Sequence, residues 1–119
     1  MAKHILLVDD DIDLLEVFQA GLEIFGHSVI VATDGKKGLK LYEKHTPCIV
    51  ISDVKMPEMD GYELFSSIRK LNSNAKVILV TGHEDKEKSK IALKNGLIDV
   101  LVKPVSMELL KDILKKHDC

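Results

Sequence analysis

Four places along this 119-residue chain hold residue types that do chemistry together. Asp9, Asp10 and Asp11 follow one apolar run, and Asp53 closes a second. Thr81 and Lys103 each close another. A single Asp after an apolar run is ordinarily a turn residue or a cap; the significance of Asp53 lies in its company. Two carboxylates ~4 Å apart repel by about 4 kcal/mol at an effective dielectric of about 20, so a cluster of three either raises its own pKa values or recruits a cation. Hard oxygen ligands with few protein contacts suit Mg²⁺, which keeps waters and takes a phosphate oxygen as a further ligand. Beside it, Lys103 supplies a point charge and Thr81 a hydroxyl donor for a phosphoryl group. The set reads as a carboxylate nucleophile, Asp53, for phosphoryl transfer.

These residues meet only if the intervening chain brings them to one edge. Residues 49–52 form a continuous apolar run, the mark of a strand buried on both faces, and Asp53 sits at its mouth. Pro57 forbids an immediate helix, and Asp60-Gly61 supplies an N-cap for a helix with Leu64, Ile68 and Leu71 at helical spacing, ended by Asn72 to Asn74. Residues 4–8 are a first strand, followed by a helix with Leu15, Phe18, Leu22 and Phe25 on one face and Gly26 as its stop. A β-branched run at 28–32 is the second strand. Thr33-Asp34 caps a helix running to about His45, with Leu39 and Tyr42 inward and Lys36, Lys37, Lys40 and Lys44 on a solvated face.

Residues 76–80 are a fourth strand. A highly charged helix over about 85–94 follows, with Ile91 and Leu93 among its few apolar anchors. Residues 98–102 are the fifth strand. Ser106 caps a last helix whose expected buried stripe is Leu109, Leu110, Ile113 and Leu114. Five strands alternating with five helices make an α/β, doubly wound parallel sheet with helices on both faces. Its connections set every strand's carboxyl end on the same edge, where open α/β sheets bind ligands.

Composition bounds the rest. At 119 residues the expectation is a single domain over 1–119 with a real core. Seventeen basic against nineteen acidic residues give a net charge of −2, no electrostatic reason to expect nucleic acid or a membrane surface as a partner. No apolar run approaches transmembrane length. Cys48 and Cys119 show no paired or metal-type spacing, and the five histidines follow no zinc pattern. Cys48 reads as a small buried apolar thiol, and the chain as cytoplasmic, in a reducing compartment.

The segments Val8-Asp9-Asp10-Asp11, Ile51-Ser52-Asp53-Val54-Lys55-Met56-Pro57-Glu58-Met59-Asp60-Gly61, Val80-Thr81-Gly82 and Val102-Lys103-Pro104 together resemble a response-regulator receiver domain, CheY-like, of two-component phosphorelay signalling. The resemblance covers essentially the whole chain. It implies a flavodoxin-like sheet in the order 2-1-3-4-5. It also implies transfer of a phosphoryl group to Asp53 from a phosphohistidine on a histidine kinase or histidine phosphotransfer protein. Asp10 and Asp53 would then ligate Mg²⁺ directly, Lys55 would add its backbone carbonyl, and Asp9 would reach the ion through water. Thr81 and Lys103 would take phosphoryl oxygens, and a cis peptide would precede Pro104. A downstream effector protein or effector domain would read the outcome; the chain would be a signalling phosphoacceptor rather than an enzyme. Asp11 is better used as a cap of the first helix.

Rival readings fare worse. A haloacid-dehalogenase-type hydrolase needs a second Asp two residues after its nucleophile, where Lys55 stands. Neither G-x-G-x-x-G nor G-x-x-x-x-G-K-[ST] occurs. A receiver-like interaction module acting without phosphorylation is the alternative from another class, but it would have lost an acid, the Thr or the Lys, and all are present. Two positions depart from the family's habit: Val100, where it usually carries Tyr or Phe, and Val105, where it often carries Phe.

Overall fold

In the computed structural model, which describes residues 4–119, strands and helices alternate strictly. The order is β1 (His4–Val8), α1 (Ile12–Ile24), β2 (Ser28–Ala32), α2 (Gly35–His45), β3 (Ile49–Asp53), α3 (Gly61–Leu71), β4 (Val77–Thr81), α4 (Lys86–Lys94), β5 (Asp99–Val102) and α5 (Met107–Lys116). All pairings are parallel and the sheet runs β2-β1-β3-β4-β5, the flavodoxin-like order implied by the sequence motifs.

The continuous strand hydrophobicity has a direct cause. Successive side chains alternate between faces, so a sheet covered twice needs apolar residues at every position. Leu6, Val8, Val50, Val77 and Leu79 pack with Tyr42 of α2, Leu64 and Ile68 of α3 and Ala92 of α4. Ile5, Leu7, Ile49, Ile51 and Ile78 face the other way, onto Leu15 and Leu22 of α1 and Leu110 and Leu114 of α5. Every residue of β3 is buried, so the strand that ends in Asp53 is held from both sides.

Each helix begins on a side chain that accepts a backbone N–H three residues on: Asp11 from Leu14, Asp34 from Lys37, Asp60 from Glu63, Asp85 from Lys88 and Ser106 from Leu109. Asp60 and Glu63 complete a capping box. The strand expected over 76–80 is Val77–Thr81, and that over 98–102 is Asp99–Val102.

Several inward assignments need correction. Phe25, Leu71 and Leu109 are exposed. Phe25 lies past the end of α1 with the Lys111 ammonium 3.7 Å from its ring centre. Leu109 is turned about 100° round the helix from Leu110, and the seam that meets the sheet is narrow, through Leu110 and Leu114. In α4 the expected anchors Ile91 and Leu93 are exposed, while Ser89 and Ala92 are buried. Small side chains let this helix close onto α3, where the Tyr62 and Ser89 hydroxyls lie 3.0 Å apart. The largest departure is covalent: Cys48 and Cys119, expected as unpaired thiols, form a disulfide.

Candidate functional site

The carboxyl edge of the sheet collects the chemistry. Asp9 follows β1 with its backbone N–H bonded to the Ala32 carbonyl, 3.1 Å, which continues the β1–β2 pairing by one residue. Its Oδ1 accepts the Asp11 N–H at 3.0 Å, so the side chain folds back over its own loop. Asp53 ends β3 in register with Val80 of β4, and its Oδ1 accepts the Val54 N–H at 3.0 Å. Both carboxylates are buried, whereas Asp10 beside them is exposed.

Asp9, Asp10 and Asp53 each offer a carboxylate oxygen, and these oxygens lie within 4.8 Å of one another. The Lys103 ammonium sits 3.4 Å from Asp53 Oδ1 and 4.0 Å from Asp9 Oδ2. The Lys103–Pro104 peptide is cis, as the family resemblance implies. Burial pushes the Asp9 carboxyl up from 3.8 to about 6, with the Asp53 charge adding and the Asp11 N–H and Lys103 opposing. Burial likewise raises the Asp53 carboxyl, against the pull of Lys103. Three carboxylates face one lysine, so with all three ionised the cluster would carry more negative charge than Lys103 neutralises, a donor set suited to a divalent cation.

Thr81 closes β4 and is fully buried. Its hydroxyl donates to the His83 carbonyl at 3.0 Å and accepts the His83 N–H at 3.2 Å, so it is tied to its own loop. Lys55 is exposed and lines an open groove of about 570 Å³ together with Asp10, Thr81, His83 and Lys88. Asp11 acts as the α1 cap and accepts the Leu14 N–H. The structure thus gathers Asp9, Asp10 and Asp53, sets Lys103 against Asp9 and Asp53, and places Thr81 and Lys55 on the adjoining groove.

One contributor was not identified in the sequence beyond its role at the start of a helix. Gly61 opens α3 against the end of β3: a Cβ there would stand 2.5 Å from the Asp53 carbonyl oxygen and 2.9 Å from Val54 Cα. Only a bare Cα lets α3 start so close, and the Gly61 N–H bonds the Val54 carbonyl at 2.8 Å. His83, which the sequence places two residues after Thr81 as a side chain flanking the approach of water, touches Thr81 through its backbone.

Comparison with known proteins agrees with this geometry. A family model described as "Response regulator receiver domain" matches residues 5–115. The chain is 38% identical over 107 residues to "Transcriptional regulatory protein GlrR" of Escherichia coli (strain K12), covering 90% of this chain and 24% of that protein; it therefore spans about a quarter of that relative. Among solved structures, a response regulator receiver domain protein from Clostridium thermocellum superposes with a TM-score of 0.92 at 31% identity, covering 97% of this chain and 93% of that one. A CheY-like receiver domain protein from Methanospirillum hungatei JF-1 gives 0.91 at 35% identity, covering 99% and 95%. Matched along nearly its whole length and carrying its acids at the carboxyl edge of a 2-1-3-4-5 sheet, the chain belongs to the response regulator receiver domain family.

Proposed function

We propose that this chain, as a single receiver domain over 1–119, accepts a phosphoryl group on Asp53 from the phosphohistidine of a histidine kinase or histidine phosphotransfer protein. The observation that carries the reading is the Asp53 carboxylate at a rigid strand end, 3.4 Å from the Lys103 ammonium and within reach of Asp9 and Asp10. A carboxylate oxygen of Asp53 attacks phosphorus, the phosphorus–nitrogen bond of the donor breaks, and the imidazole leaves with its electron pair and takes up a proton. Lys103 holds one phosphoryl oxygen, and Thr81 turns its hydroxyl from His83 to another.

The donor set fits Mg²⁺: Asp10 and Asp53 would hold it, with the Lys55 carbonyl and, through water, Asp9. The ion supplies charge neutralisation between the carboxylates and the phosphoryl oxygens. Because a phosphohistidine donor is made from ATP, the exchange takes place in the cytoplasm. A downstream effector protein or effector domain reads the loop after Thr81 and the helix behind it. Acetyl phosphate with Mg²⁺ tests the reading: intact mass should rise by one phosphoryl group in the parent and not in Asp53→Asn. Equal labelling of both would mean a different acceptor.

A further inference from the structure

At the opposite edge of the sheet from Asp53, two segments far apart in sequence are joined by hydrogen bonds as well as by the disulfide. Cys48 directly precedes β3, and its N–H bonds the His4 carbonyl at 2.8 Å, which fixes it to β1. Beyond α5 the chain turns back on itself through Asp118, whose φ is +61°. The Asp118 N–H reaches the Lys115 carbonyl at 3.2 Å and the Cys119 N–H reaches the Leu114 carbonyl at 2.8 Å, a C-terminal helix turn of the Schellman kind. The Lys76 ammonium, on the segment before β4, donates to the His117 carbonyl at 2.6 Å and ties that turn to the sheet. The two Cα atoms lie 5.8 Å apart, within the usual range for a disulfide.

Carbonyl oxygens lie near both sulfurs. Cys48 Sγ lies 3.7 Å from the Asp118 carbonyl oxygen and Cys119 Sγ lies 3.5 Å from that of His117, groups able to accept a weak S–H once the bond is opened. Both cysteines are partly exposed, open to a small thiol.

We infer that Cys48 and Cys119 are a reversible dithiol–disulfide centre that locks the end of α5 to the start of β3 under oxidising conditions and releases it under reducing ones. The co-reactant is a low-molecular-weight disulfide such as oxidised glutathione. One protein thiolate attacks it, forming a mixed disulfide and expelling one glutathione thiolate. The second protein thiolate then attacks the protein sulfur of that mixed disulfide and expels the other. Two protein thiols lose two electrons and two protons, and one glutathione disulfide becomes two thiols. The centre acts on α5 rather than on the acceptor site, because β3 separates Cys48 from Asp53 by about 16 Å of extended chain.

The full chain, equilibrated over a series of reduced-to-oxidised glutathione ratios without denaturant and quenched with a maleimide, gives the test by intact mass. A smooth passage from two alkylated sulfurs to none is expected, while Cys48→Ser and Cys119→Ser each stop at the mixed disulfide with glutathione, which the missing second thiol cannot resolve. Amide exchange at 113–119 should quicken several-fold on reduction, with 49–53 unchanged and acetyl phosphate labelling of Asp53 equal in both forms. Two free thiols at every ratio would overturn the inference. So would a disulfide that excess reduced glutathione opens only after the protein is unfolded, or α5 amides that exchange alike in both forms.

Discussion

Thr81 and His83 share two hydrogen bonds through one side chain: the Thr81 hydroxyl donates to the His83 carbonyl at 3.0 Å and accepts the His83 N–H at 3.2 Å. A hydroxyl has one proton to donate, so Thr81 cannot give it to a phosphoryl oxygen and keep its bond to the His83 carbonyl. The loop from Gly82 to Glu84 must therefore move when the acceptor is filled. The helix behind it, α4, holds the fold through Ser89 and Ala92 alone among its buried side chains. Such an element belongs to the less stable part of a domain. Val100, buried in β5, is β-branched and stiff.

Beryllofluoride with Mg²⁺, a mimic of the phosphoryl group, should consequently shift the amides of 81–92 strongly and leave Val100 in one rotamer. Amide and methyl chemical shifts with and without the mimic measure both. A change at Val100 as large as that in 82–92 would contradict this route. In Thr81→Ala the mimic should still bind, yet the 82–92 shifts should shrink to a small fraction.

The acid cluster makes Mg²⁺ binding depend on pH in a definite direction. Asp9 is raised in the folded protein, from 3.8 to about 6, first by burial. A carboxyl raised on folding stabilises the native state in its protonated form: that stability is fully present below about 3.8 and is lost as pH rises through about 6. Mg²⁺ bound to the ionised cluster would offset the loss. The rise in melting temperature on adding Mg²⁺ should be larger at about pH 8 than at about pH 5, and Asp10→Asn should remove most of it. The same gain at both pH values, or an undiminished gain in the mutant, would sink the ligand assignment.

Much of this was legible in the sequence because it rests on short-range rules. Continuous apolar runs gave five strands, and the cap residues Asp11, Asp34, Asp60 and Ser106 marked helix starts correctly. The carboxyl-edge cluster followed from the parallel topology. Side-chain inwardness was less legible: Leu109 and Leu110 are equally apolar, and only the packing decides which one faces the sheet. Ser89, a polar residue in a charged helix, gives no sign that it is buried; its partner Tyr62 lies 27 residues away. The Cys48–Cys119 bond joins residues 71 apart, a separation for which spacing carries no signal.

The Tyr62–Ser89 contact should be measurable as an α3–α4 tie. Tyr62→Phe and Ser89→Ala should each cost about 1 kcal/mol, as a partly buried neutral hydrogen bond does. The double mutant should cost less than the sum. Strict additivity in urea unfolding would show that the two hydroxyls do not act together.

Lys55 lines the groove beside Thr81 and His83, where a long side chain would limit the approach of water to a phosphoryl group on Asp53. Lys55→Ala should lose its phosphoryl group several-fold faster than the parent. A parent that dephosphorylates as fast as the mutant would remove any shielding role for Lys55.

Borohydride reduction of the phosphorylated protein tests the central claim most directly, because an aspartyl phosphate is reduced to homoserine while free carboxylates are untouched. After treatment with acetyl phosphate and Mg²⁺, peptide sequencing by mass spectrometry should find homoserine at position 53, and none when Mg²⁺ is withheld. Homoserine at position 9, 10 or 60, or a phosphoryl mass gain with no homoserine at all, would contradict Asp53 as the acceptor.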